Sequence, residues 1–161
     1  MNATDIELAV ASHFNYRVNV IVPNVFWGIY GLQYEADVVV LRQSGFAVEI
    51  EIKTNKADIE RDLRKRHQHR SRLFRELWFA VPDHLAQDSN IPEHAGILAV
   101  IDTGRHHKVS KIRPPKINKT AMRWPDTSRT KLLHLGVMRI WGLKSNLMAQ
   151  KQRLRNKGVV K

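Results

Sequence analysis

The chain has 161 residues, of which 43% are hydrophobic, and it carries a formal net charge of +12 with no cysteine. That is enough chain to bury one core, while no apolar run approaches the ~18 residues of a membrane span. Disulfides and cysteine-held zinc are excluded; the expected home is the reducing cytoplasm, and the acids early in MNATDIELAVASHF are unlike an export signal.

Thr4 followed by Glu7 has capping-box spacing, and Leu8, Val10, Ala11 and Phe14 continue an apolar pattern, which predicts a first helix ending near Asn15. RVNVIV alternates β-branched residues up to Pro23 and reads as a short strand. VFWGIYGLQ is a loop rich in glycine and aromatics. YEADVVVL and FAVEIEIK are two strand signals separated by RQSG. From Thr54 to about Leu73 the chain is charged and helix-permissive. ELWFAVP and GILAVID are continuous apolar runs, as expected of strands covered on both faces. HHKVSKIRPPK is an extended basic stretch ended by Pro114 and Pro115. Thr127 to Gln150 has apolar residues at mixed helical spacing, weakened by Gly136 and Gly142. The order helix, three strands, helix, two strands, helix predicts an α/β fold, a mixed sheet flanked by helices. Residues 1–150 are expected to form a single domain, with 151–161 as a frayed basic tail.

The period of two puts Phe46, Val48, Ile50 and Ile52 on one face of FAVEIEIK and Ala47, Glu49, Glu51 and Lys53 on the other. Gln43-Ser44-Gly45 suits a three-residue hairpin loop with a left-handed glycine at its last position. Pairing Arg42 with Phe46 then sets Asp37 opposite Glu51 and Glu35 opposite Lys53. A two-residue loop would set Asp37 opposite an isoleucine and mix acids with apolar residues on both faces, the poorer register. The favoured register clusters carboxylates, which keep their charge cheaply only beside a cation. Magnesium or manganese answers that need, because Mg2+ is commonly held by one or two carboxylates, waters and a substrate phosphate. Lys53 would then hold a phosphate oxygen or orient the attacking water. Against this stands an ordinary solvated face of salt-bridged strand residues. In the register, Glu35 is placed to hold Lys53, and Glu49, opposite Val39, has an outer role.

Through Asp102 there are 11 Lys/Arg against 14 Asp/Glu, whereas beyond it 16 Lys/Arg face Asp126 alone. So basic a segment beside an acid-containing half suggests a polyanionic partner, DNA above all, held near a carboxylate site. In ADIERDLRKRHQHRSR, residues Arg61, Arg64, Lys65 and Arg66 are placed either to grip phosphates or to form a solvated face with Asp58, Glu60 and Asp62. His67 and His69 diverge on a helix, and His106 and His107 have no ligand spacing. Trp27, Tyr30 and Tyr34 either stack on an unpaired base or belong to the core.

Asp37 followed by Glu51-Ile52-Lys53, in a hairpin between two helices, resembles the PD-(D/E)XK nuclease superfamily. The stretch from NVIVPNVFWG through EIEIKTNKAD to ELWFAVP is similar to the MmcB-like group of DNA-repair and phage proteins within it. The resemblance implies a restriction-endonuclease-like fold and metal-dependent hydrolysis of DNA phosphodiesters in repair, recombination or phage DNA processing. It implies that Asp37 and Glu51 bind Mg2+ or Mn2+ and that Lys53 is the catalytic lysine. Members often add a first-helix glutamate; Glu7 matches, although its spacing from Thr4 equally suits a cap. Ala36 stands where the signature has proline, a permissive position. The alternative is a non-catalytic DNA-binding module that retained the fold, and a homodimer is compatible with either.

Overall fold

The structure is a computed structural model, and it describes residues 1–26, 28–63, 71–88 and 90–156. Six strands form one mixed sheet in the order β1-β2-β3-β4-β5-β6: β1 (Val20–Val25), β2 (Ala36–Leu41), β3 (Ala47–Ile52), β4 (Phe74–Pro82), β5 (Gly96–Asp102) and β6 (His107–Arg113). The first three strands are antiparallel, β3-β4 and β4-β5 are parallel, and β6 returns antiparallel to β5. The helices are α1 (Ala3–His13), α2 (Lys56–Leu63) and α3 (Asp126–Asn156), with a single 3-10 turn at Asp83–Leu85. The expected α/β order of elements is present. The basic stretch after Asp102 adds a sixth strand to it, because Val109 and its neighbours find β5 beside them.

The two sheet faces build separate cores. Ile6, Ala9 and Val10 of α1 pack on Val38, Val40, Val48, Ile50, Trp78, Ala80 and Leu98. On the opposite face Leu132 of α3 packs with Val22, Val39, Leu41, Ala47, Phe74 and Trp124. Beside that cluster Ile59 of α2 covers Leu77, Phe79, Val81 and Ile97. Central strands buried on both sides explain why ELWFAVP and GILAVID are nearly continuous apolar runs.

Three boundaries differ from the sequence reading. The capping box uses Asn2 and Asp5, not Thr4 and Glu7: the Asn2 side chain accepts from the Asp5 N–H at 2.9 Å and Asp5 accepts from the Asn2 N–H at 2.7 Å. Asn is a strong N-cap, and using it places Thr4 inside the first turn. Pro23 lies within β1, paired with Val38, rather than ending it. An edge strand has one side on which a missing N–H costs nothing. Finally α3 continues to Asn156, so the residues expected as a frayed tail are helical up to that point. Among the described residues, no helix is long and apolar enough to cross a membrane.

Candidate functional site

The hairpin between β2 and β3 sets the site. Val38 pairs with Ile50, Val39 with Glu49, Val40 with Val48 and Leu41 with Ala47. Gly45 has φ +84°, a left-handed conformation that L side chains avoid, and its N–H closes the loop on the Arg42 carbonyl at 2.9 Å. This is the register expected from Gln43-Ser44-Gly45. Carried one residue further, it sets Asp37 against Glu51. There the ladder gives way to a side chain, because the Ile52 N–H donates to Asp37 Oδ2 at 2.8 Å. The Lys53 N–H donates to the Ala80 carbonyl at 3.1 Å, so the last residue of the signature is anchored to β4.

The Lys53 ammonium is the hub. Its Nζ lies 2.6 Å from Glu51 Oε2, 3.3 Å from Asp62 Oδ1 and 3.6 Å from Asp37 Oδ2. The Glu51 side chain is 0% exposed, Asp62 3%, Lys53 8% and Asp37 35%, so solvent meets this cluster chiefly at Asp37. A wet, salt-bridged strand face is therefore not what the alternation in FAVEIEIK encodes. Burial works against the Lys53 charge, but the charges of Glu51 and Asp37, the hydrogen bond that Lys53 donates to Glu51 and the charge of Asp62 outweigh it. Together they hold the ammonium above the ordinary lysine range.

Asp62, on α2, is the member that sequence reasoning offered only as a partner for the helix arginines, should that face be solvated. Its signal was present: Ile59, three residues earlier on the helix, is apolar and fully buried, so Asp62 points the same way. Glu35, expected to hold Lys53, is exposed, and the structure supplies Asp62 as the third carboxylate instead. Strand β2 begins only at Ala36, so Glu35 is not held by the ladder. Glu49 sits opposite Val39 as expected, fully buried, and accepts the Tyr34 hydroxyl at 2.9 Å. Burial first, then the charge of Glu49 and its hydrogen bond, push the Tyr34 phenol far above its ordinary range, so it stays a donor. That settles Tyr34 as a core donor rather than an exposed stacking platform. Tyr30, by contrast, is 93% exposed.

Glu7 is free of the helix cap. Burial, and then the negative charge of Asp37, raise its carboxyl above the ordinary range, which puts α1 within electrostatic reach of the cluster. A carboxyl whose folded pKa is raised costs stability above its unfolded pKa, and the cost disappears as pH falls through the folded value. Glu7→Gln is therefore expected to unfold at higher urea than the parent chain at pH 7. The difference should vanish below the carboxylate range, and urea titrations at pH 7 and pH 3 check it. Of the expected DNA contacts, Arg61 is exposed and pairs with Asp58 at 2.8 Å, while Arg64, Lys65 and Arg66 lie outside the described residues.

Among the described residues no group of three His, Asp or Glu side chains is arranged as a metal cage. Mg2+ asks for less, one or two carboxylates with waters completing the shell. Asp37 and Glu51 could supply two such carboxylates, since both converge on one cation, the Lys53 ammonium.

No protein-family model matches the chain, and no curated protein matches it. Among solved structures it is similar to the "SPO1766 protein of unknown function" from Silicibacter pomeroyi. The two are 18% identical with a TM-score of 0.61, over 100% of this chain and 96% of that one, a likeness that establishes the fold.

Proposed function

We propose that the protein is a metal-dependent deoxyribonuclease of the PD-(D/E)XK type, acting on DNA in the cytoplasm during repair, recombination or phage DNA processing. The observation that carries this reading is the convergence of Asp37, Glu51 and Lys53 at the end of one hairpin, with one carboxylate open to solvent. Asp37, Glu51 and Asp62 bring three carboxylates to one point, a grouping beside which a divalent cation is favoured. Mg2+ or Mn2+ bound by Asp37 and Glu51 would lower the pKa of a bound water and offset charge on the phosphate. Glu7 is a further candidate for that shell. Lys53, released from Glu51, would hold a phosphate oxygen or orient the water. Asp62 keeps its ammonium near the site, and Glu49, tied to Tyr34, fixes the strand from behind. The excess of Lys and Arg beyond Asp102 supports a polyanionic substrate.

The test is a cleavage panel of duplex, single-stranded and branched DNA with Mg2+ or Mn2+. The parent chain is expected to cut at least one form, and Asp37→Ala, Glu51→Ala and Lys53→Ala to cut none. Three variants that cut like the parent would remove the site assignment. A second reading follows from the burial of Glu51 and its 2.6 Å contact to Lys53: a site locked by its own lysine, in a protein that only binds DNA. Calorimetry with Mn2+ separates the two. No heat of binding, with DNA affinity unchanged in chelator, favours the binder.

A further inference from the structure

Helix α3 runs from Asp126 to Asn156, but only its first half lies on the sheet. Ser128 and Leu132 are buried and Leu135 is half-buried. A Cβ at Gly136 would sit 3.3 Å from Val22, and the Arg139 guanidinium donates to the Asn24 carbonyl at 2.7 Å. From 137 to 156 every residue is exposed. Past Arg139 the helix continues for ~25 Å, a length that is marginal in water without packing.

That outer half is not polar. Val137, Ile140, Trp141, Leu143, Leu147, Met148 and Leu154 are between 43% and 66% exposed. Residues 137, 140, 144, 147, 151 and 154 alternate steps of three and four, the spacing of a two-helix seam. The seam lies about a third of a turn round α3 from the stripe Ser128, Leu132, Leu135 and Arg139 that meets the body.

We propose that this stripe is the interface of an antiparallel homodimer, in which α3 of a second copy lies along it. Two seam positions are Lys144 and Lys151. A parallel pair would stack each lysine on its own copy. An antiparallel pair centred between Ser145 and Asn146 instead layers Lys144 on Leu147, Ile140 on Lys151 and Val137 on Leu154. Each lysine then lays its stem on an apolar side chain and keeps its head in water. Lys144 already lies this way, its Nζ 4.9 Å over the Trp141 ring. At roughly 100 Å² each, the seven apolar side chains offer roughly 700 Å² per copy, close to the ~800 Å² of a standard interface.

Other occupants fit less well. A membrane surface would draw Lys144 and Lys151, at the centre of the apolar face, into hydrocarbon, whereas interfacial helices keep cations on the opposite side. An acidic partner would find only Lys144 and Lys151 on the seam, because Arg139 is turned to the body.

The chain has no cysteine, which allows a clean test. Sedimentation of the full chain should give twice the chain mass, and Ile140→Glu with Leu147→Glu should raise the dissociation constant by at least ~100-fold. The backbone amide NMR resonances of the sheet should not move. On oxidation, Lys144→Cys mixed with Leu147→Cys should form a disulfide dimer, and neither variant alone should. A chain still monomeric at ~100 µM overturns the proposal, whether or not an acidic helical peptide binds it. So does a double variant of unchanged mass, or a Lys144→Cys chain that links to itself. None of these outcomes depends on nuclease activity.

Discussion

Replacing Lys53 by methionine should cost the metal-free protein about 3–5 kcal/mol, the usual effect of removing one partner from a buried ion pair. The chain keeps a side chain of similar length, so little packing is lost. What remains is Glu51 at 0% and Asp62 at 3% side-chain exposure, with Asp37 beside them, and the ammonium that all three share is gone. Asp37 is partly solvated, so most of the penalty falls on the other two. In the parent chain, the raised Lys53 pKa contributes stability that is fully present below the unfolded lysine pKa and fades only as pH rises through the folded value. In the variant the three carboxylates no longer share that ammonium, so acidification should relieve the loss while alkali should not. Mn2+ should restore part of it, about 2.7 kcal/mol at 100 times its dissociation constant. Urea unfolding in chelator, repeated at pH 5 and with Mn2+, measures all three. A loss below ~1 kcal/mol would mean the cluster is less coupled than its distances imply.

The hairpin was legible because two independent signals agreed. A left-handed glycine fixed the loop length, and only one register set Asp37 on the face of Glu49 and Glu51 rather than opposite an isoleucine. From that pairing alone, Asp37, Glu51 and Lys53 fall together. What the alternation could not convey is that the charged face lies under a helix. Period two distinguishes faces, not which of them is covered, and α2 closes over this one with Ile59. Asp62 was hidden for the same reason, since its neighbours Glu60 and Arg61 are solvated and local composition averages over them. Tyr34 was read from its glycine-rich surroundings, and its partner Glu49 lies fifteen residues away, beyond any local pattern. The cap was misplaced because Thr4 and Glu7 have the spacing of a capping box, while Asn2 and Asp5 have it too and start the helix sooner. At the C-terminus the mixed spacing in α3 has a physical cause. Leu132 and Leu135 face the sheet, whereas Val137, Ile140 and Leu147 follow a stripe about a third of a turn away, so no single stripe spans the helix.

Asp37→Asn isolates charge from structure at the one solvent-facing carboxylate. The amide oxygen can still accept the Ile52 N–H that Asp37 Oδ2 takes at 2.8 Å, so the end of the hairpin keeps its closing hydrogen bond. The ion pair that is lost is the longest of the three on Lys53, at 3.6 Å. Stability should therefore move by no more than ~1 kcal/mol, the scale of one exposed or half-exposed pair. Metal binding should respond very differently. Residues that merely orient a ligand are worth ~10–100-fold in affinity, so removing the charge of a ligand should weaken Mn2+ binding by more than ~100-fold. DNA cleavage should fall at least as far, since Glu51 alone would have to hold the ion. Glu7 provides an internal control: without the Asp37 charge, its carboxyl should titrate closer to the ordinary range, which NMR of the Glu7 side chain reads directly. A variant with lowered Glu7 pKa, intact fold and parental Mn2+ affinity would leave the electrostatics standing and remove Asp37 from the metal site. Lost Mn2+ binding with intact fold would instead separate the charge of Asp37 from its role in closing the hairpin, which Lys53→Met cannot do.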